Sequence, residues 1–110
     1  MKVLITGGAG YVGTTLIPQL LERKYDVTVY DNLRFGGDPI IPFFRYKNFD
    51  FIKGDVRDKS ELGKAVKNKD VVIHLAAIVG YPACRQEPDA AKEINIGGTR
   101  NLIDLSLIHI

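Results

Sequence analysis

Three glycines and one carboxylate carry the first chemical signal in this chain. Gly8, Gly10 and Gly13 satisfy G-x-G-x-x-G, and Gly7, Gly10 and Gly13 satisfy the overlapping T-G-x-x-G-x-x-G. The pattern lies between an apolar run, Val3-Leu4-Ile5, and an apolar set at helical spacing, Leu16, Ile17, Leu20 and Leu21. A strand, a glycine turn and a helix in that order form a phosphate cradle. One glycine turns the chain sharply, one lets backbone approach a pyrophosphate, and Gly13 lets the helix lie near the strand. The free N–H groups and positive dipole end of the helix then face the phosphates. Asp31 ends the next strand, 18 positions beyond Gly13. A carboxylate there accepts hydrogen bonds from ribose hydroxyls and repels a 2′-phosphate, so it favours NAD over NADP. Arg34, three residues later, could soften that preference. The bland alternatives are a tight turn without ligand and a solvated strand-end aspartate; the order of elements around the motif weighs against both.

These residues need an α/β frame, and the rest of the chain supplies one. Lys2–Thr6 reads as a buried parallel strand. The helix after the glycines is expected to reach about Lys24, with a bend at Pro18 or an irregularity after Thr14. Asp26–Asp31 is the second strand, which completes a right-handed βαβ crossover. Residues 32–48 read as a long loop, too apolar at Ile40, Ile41, Phe43 and Phe44 for free solvent, folded on the sheet or over a cofactor, with room for a short helical turn. Phe49–Lys53 is the third strand and Gly54-Asp55-Val56 ends it. Asp55 is either an acceptor for an adenine amino group, with Val56 against the ring, or a plain turn residue. Asp58 or Ser60 caps a helix to about Asn68. Asp70–Leu75 is the fourth strand, followed by the small residues Ala76 and Ala77, which leave room for a ligand against the backbone.

His74 reads as a satisfied interior histidine rather than a catalyst. Residues 78–87 read as irregular; Tyr81 and Arg85 there are candidates for substrate contact, and Cys84 lacks a general base and reads as inert. Pro88 starts the last helix, with Ala91, Ile94, Asn95, Gly98, Leu102 and Leu105 on one face. Asn95 on an apolar stripe needs a partner, as a helix–backbone clamp or a water site.

Composition bounds the function. The 110 residues make one domain at most, 45% apolar and 25% charged, with a net charge of +2. No basic run argues for nucleic acid, and no apolar run reaches membrane-spanning length. A single cysteine fits a reducing cytoplasm. No metal site is expected.

Five blocks in order then resemble one family. They are Thr6-Gly7-Gly8-Ala9-Gly10-Tyr11-Val12-Gly13, Asp31-Asn32-Leu33, Gly54-Asp55-Val56, His74-Leu75-Ala76-Ala77, and Asn95 with Gly98-Thr99-Arg100-Asn101-Leu102. The chain resembles the extended short-chain dehydrogenase/reductases in their NAD-dependent sugar epimerase/dehydratase branch. The resemblance implies a Rossmann-type parallel sheet with helices on both faces, in strand order 3-2-1-4, ending before strand five. It implies NAD held by Gly7, Gly10, Tyr11, Val12, Gly13, Asp31, Asn32, Asp55, Val56, Leu75, Ala76, Ala77 and Asn95. It also implies a nucleotide-sugar substrate carried by a C-terminal region, and a homodimer.

The chain departs from that family at its chemistry. Members use a Tyr-x-x-x-Lys pair, and none of Tyr11, Tyr25, Tyr30, Tyr46 and Tyr81 has Lys four positions on; Tyr30 and Tyr81 have Arg34 and Arg85 instead. No catalytic residue is therefore named. Residues 1–104 read as the cofactor domain, and 105–110 as either a non-native tail or a native helix end. Two functions follow: the cofactor half of a nucleotide-sugar epimerase or dehydratase, inactive by itself, or a non-catalytic NAD-sensing module.

Overall fold

Alternation along each strand sends side chains to opposite faces of a sheet, and here both faces are apolar. A computed structural model describes residues 1–78 and 81–109, leaving aside the side chains of 81–83 and 106–109. Strands β1 (Lys2–Thr6), β2 (Asp26–Asp31), β3 (Phe49–Lys53) and β4 (Val71–His74) form one parallel sheet in the order β3-β2-β1-β4. This is the Rossmann-type order expected above. Val3, Ile5, Val27 and Val29 face one way and pack with Ile17 and Leu21 of helix α1 (Tyr11–Glu22). Leu4 and Tyr30 face the other way. They pack with Leu62, Ala65 and Val66 of α2 (Lys59–Val66), and with Leu102 and Leu105 of α5 (Thr99–His109). Helices thus cover both faces, and the core is two layers divided by the sheet.

Helix α1 is helical throughout, with Pro18 inside it. It stops at Glu22 because Lys24 adopts φ 66°. The Lys24 and Tyr25 N–H groups return to the carbonyls of Leu21 and Leu20, the paired bonds of a Schellman stop. Asp58 caps α2 by accepting the Glu61 N–H at 3.1 Å, which decides between the two expected caps.

The long loop after β2 contains the helical turn its apolar residues allow. Residues Asp38–Arg45 form a 3-10 helix that buries Ile40 and Phe43. Phe44 meets Phe49 and Phe51 edge-on along β3. The stretch after β4 also differs from expectation. Tyr81–Gln86 is helix α3, followed by α4 (Pro88–Lys92), a π-helical turn (Glu93–Gly98) and α5. The expected single last helix is therefore interrupted, although Ala91, Ile94, Gly98, Leu102 and Leu105 do share its buried side. Gly98 fits because a Cβ there would lie 2.4 Å from Val56 Cγ2. Leu105, placed on that face and also at the start of the segment read as a tail or a helix end, is buried within the second layer. No helix among the described residues is long and apolar enough to cross a membrane.

Candidate functional site

The carboxyl ends of β1, β2 and β4 open together, and the loops leaving them line a cavity of about 390 Å3. Open parallel sheets bind ligands at this edge because adjacent loops diverge there. Gly7 turns the chain out of β1 with φ +73°, and a Cβ on it would lie 2.6 Å from the Ala76 backbone nitrogen. Gly13 packs the first turn of α1 on the glycine loop itself: its Cβ would sit 2.4 Å from the Gly8 carbonyl oxygen. The contact is thus with the turn, one step removed from the strand contact expected. Gly10 caps α1 with no side-chain hydrogen bond, so the first-turn N–H groups stay available to a ligand. Gly7, Gly10, Tyr11, Val12 and Gly13 all line the cavity.

Asp31 ties this turn to the second strand. Its Oδ2 accepts the Ala9 N–H at 3.0 Å and its Oδ1 the Leu33 N–H at 2.7 Å. Each carboxylate oxygen has two acceptor sites, so each retains one, and Asp31 lines the cavity. Asn32 Oδ1 accepts the Arg34 N–H at 3.0 Å, and its amide reaches Asp55 Oδ2 at 3.4 Å.

Asp55 is more fully engaged than expected. Arg57 donates its backbone N–H and Nε to Oδ1, both at 2.9 Å, and Nη2 to Oδ2 at 2.7 Å. With Asn32 this makes four donors for four acceptor sites. The Arg57 hydrogen bonds hold the carboxyl at about 2, well below the usual carboxylate range, against the opposing effect of burial. A ligand amino group at Asp55 must therefore replace a bond already made, and the Asn32 contact is the longest. Val56 forms an apolar wall beside it. Tyr30 donates its hydroxyl to the Asp55 carbonyl at 2.8 Å, and burial, more than the nearby acids, pushes its phenol up to about 12.

The far wall is Leu75, Ala76, Ala77 and Ile78, and a threonine–histidine relay positions it. Thr99 Oγ1 donates to the Asn95 carbonyl at 2.7 Å, so toward His74 Nε2, 3.0 Å away, it accepts. His74 therefore carries its proton on Nε2 and accepts from Thr6 Oγ1 at 2.6 Å through Nδ1. Burial of the imidazole lowers the His74 pKa. His74 is thus the satisfied interior histidine expected.

Asn95 is the clamp of the two alternatives. Its Oδ1 accepts the Ile78 N–H and its Nδ2 donates to the Ile78 carbonyl, both at 2.8 Å. It does not line the cavity; it holds the wall that does. The physical reason is that both ends of its amide are spent on the backbone of one residue, Ile78.

Because His74 is neutral when folded, protonation favours the unfolded chain. Its contribution is complete above about pH 6.5 and is lost as pH falls through the lowered folded value. Denaturant unfolding should show stability falling by at most about 1.4 kcal/mol per pH unit below that point from this one group. The slope should shrink in His74→Gln. An unchanged slope in that variant would contradict the relay.

Of the two expected substrate residues, Arg85 lies exposed on α3 and does not line the cavity, and the side chain of Tyr81 lies outside the described residues. Cys84 Sγ donates to the Ile78 carbonyl at 3.3 Å, a packing role. Ala9 and Gly54 also line the cavity, from within the quoted motif blocks, whereas Tyr30, Phe35, Gly36, Ile78 and Ile94 were not named as site residues from sequence and arrive there by topology. Among the described residues, no group of three or more His, Cys, Asp or Glu is placed to hold a metal ion.

Comparison with known proteins agrees with this geometry. The family described as "NAD dependent epimerase/dehydratase family" matches residues 3–109. The chain is 36% identical over 108 residues to a CDP-paratose 2-epimerase of Salmonella typhi, covering 94% of this chain and 32% of that protein. It is 37% identical over 110 residues to UDP-glucose 4-epimerase 3 of Oryza sativa subsp. japonica, covering 92% and 30%. The structure superposes on DesIV, a dTDP-glucose 4,6-dehydratase of Streptomyces venezuelae solved with NAD bound, with a TM-score of 0.91. That match has 28% identity and covers 99% of this chain and 36% of DesIV. The chain thus spans about a third of the length of these relatives. A family match over nearly its full length, on a parallel 3-2-1-4 sheet with a glycine turn under the cavity, places this chain in the NAD-dependent epimerase/dehydratase family.

Proposed function

We propose that this chain is the NAD-holding N-terminal part of a nucleotide-sugar epimerase or dehydratase. The observation that carries the reading is one cavity bounded by a helix start without a side-chain cap, a carboxylate at the end of β2 and a wall of small residues. Each part fits one portion of a dinucleotide. The α1 N-terminus, through the backbone at Tyr11 and Val12, takes the pyrophosphate. Asp31 accepts from the adenosine ribose, with Asn32 beside it. Val56 lies against the adenine and Asp55 receives its amino group in exchange for Asn32. Leu75, Ala76 and Ala77 border the nicotinamide ribose, on a wall fixed by Asn95. When bound, NAD supplies a reversible hydride acceptor for a sugar carbon. Residues 1–104 are the unit that binds and orients it, and the relatives' nucleotide sugars give the substrate class. Pairing as a homodimer is part of the same reading.

A second reading is a non-catalytic NAD-sensing module. Both readings require NAD binding, so that is tested first. The chain has no tryptophan, which leaves NADH fluorescence free of indole background. Titration should give a saturable rise in NADH emission, and a linear, non-saturating response would defeat both readings. Conversion of nucleotide-linked sugars by a protein carrying this chain then selects the enzyme; NADH binding with no turnover selects the sensor.

A further inference from the structure

The rim of the cavity carries one cation that dinucleotide binding leaves without a task. Arg34 is the only Lys or Arg among the described residues lining the cavity. It stands three residues beyond Asp31, and its backbone N–H is fixed by Asn32 Oδ1. Its guanidinium is already engaged: Nη2 pairs with the carboxylate of Glu87. Glu87 lies 53 residues further along the chain, at the start of α4, where its carbonyl accepts the Ala91 N–H at 2.9 Å. The Arg34 side chain is 24% exposed and that of Glu87 55%. The cation is thus the more sheltered partner, and the acid meets it from the solvent side.

We propose that Glu87 is a cofactor-specificity residue, acting by occupying Arg34. The proposal rests on the NAD reading above and deepens it. A phosphate monoester on the ribose 2′-oxygen brings between about 1.5 and 2 negative charges at neutral pH. Next to Asp31 it needs a guanidinium, whose fork of donors matches phosphate oxygens. Arg34 is placed to supply that fork, and Glu87 neutralises it first. Asp31 therefore repels the 2′-phosphate while Glu87 removes its one compensating charge. Ribose hydroxyls are uncharged and unaffected by the pair. Discrimination comes from two acids far apart in sequence, and only the first belongs to the strand-end position usually read for it.

The test is the ratio of NADPH to NADH dissociation constants, measured by fluorescence titration for the wild-type chain, Glu87→Gln and Glu87→Gln/Arg34→Gln. Glu87 is exposed and its backbone bond is retained in glutamine, so the fold should persist; a thermal melt checks this. The wild type should prefer NADH. Glu87→Gln should lower the ratio about tenfold, mainly through tighter NADPH binding, and the double variant should restore it to within about twofold of wild type. A ratio that moves less than about twofold in Glu87→Gln, or that moves equally in the double variant, overturns the proposal while leaving NAD binding intact. Failure of the wild type to bind NADH overturns the cofactor reading and this proposal together.

Discussion

Gly10→Val is expected to abolish NADH binding with the fold retained, whereas Gly13→Val is expected to lose the fold. The two glycines are three residues apart in one motif, but their surroundings differ. Gly10 has φ −81° and ψ −173°, a backbone open to any residue. A Cβ there meets only the Gly7 carbonyl oxygen, at 3.3 Å, which a small shift relieves. The valine methyls would instead take up space in the cavity that Gly10 lines, where the proposed pyrophosphate must approach the backbone. Affinity should fall at least about 100-fold, or about 2.7 kcal/mol. At Gly13 a Cβ would stand 2.4 to 2.7 Å from three backbone atoms of Gly8. Backbone on both sides cannot yield, so α1 must move off the turn and its contacts with β1 and β2 must break. A cost of several kcal/mol is a large share of the roughly 5–15 kcal/mol that holds a domain folded. Circular-dichroism melts separate the cases: near wild type for Gly10→Val, collapsed for Gly13→Val. Unchanged NADH affinity in Gly10→Val would sink the cofactor assignment.

Asp31→Ala is expected to cost both affinity and local order. The carboxylate holds the Ala9 and Leu33 N–H groups, so alanine leaves two partly buried donors without an acceptor. Stability should drop by about 1–3 kcal/mol, each bond being to a charged acceptor but reachable by water. The ribose hydroxyls also lose their acceptor, and two charge-assisted bonds at about 1.5–3 kcal/mol each predict a loss of about 100-fold or more in NADH affinity. Asp31→Asn, which keeps an acceptor oxygen but loses the charge, should fall between alanine and wild type in stability. It should also discriminate less against NADPH. Denaturant unfolding with NADH and NADPH titrations checks both effects, and an Asp31→Ala protein that binds NADH as wild type does would contradict the assigned role.

What could be read from sequence was set by local rules. Strands β1 and β4 were legible as continuous apolar runs, Val3-Leu4-Ile5 and Val71-Val72-Ile73, and β2 and β3 as alternating β-rich segments, as in Phe49-Asp50-Phe51. The glycine turn was legible because its spacing and flanking elements are fixed by backbone geometry. Asp31 followed from its position at the end of β2. Residues 81–86 were missed as a helix because Pro82 and the neighbouring Gly80 read as breakers, whereas a proline in the first turn of a helix loses no bond. The π turn at Glu93–Gly98 has no sequence period of its own; it shows only in how Asn95 reaches Ile78 while Gly98 packs on Val56. The Arg57 grip on Asp55 lay two residues away in sequence and was overlooked. The Arg34–Glu87 pair spans 53 residues and has no local signature. Contacts of that kind come from topology.

The most direct measurement is amide mapping by heteronuclear NMR as NAD is added to the isotope-labelled chain. The account predicts that the largest shifts fall on the backbone of Gly7–Gly13, Asp31 and Asn32, Asp55 and Val56, and Leu75–Ala77, all along the carboxyl edge of the sheet. Shifts confined to the other side of the molecule, around Arg100 and Asn101, or no shifts at saturating NAD, would contradict it.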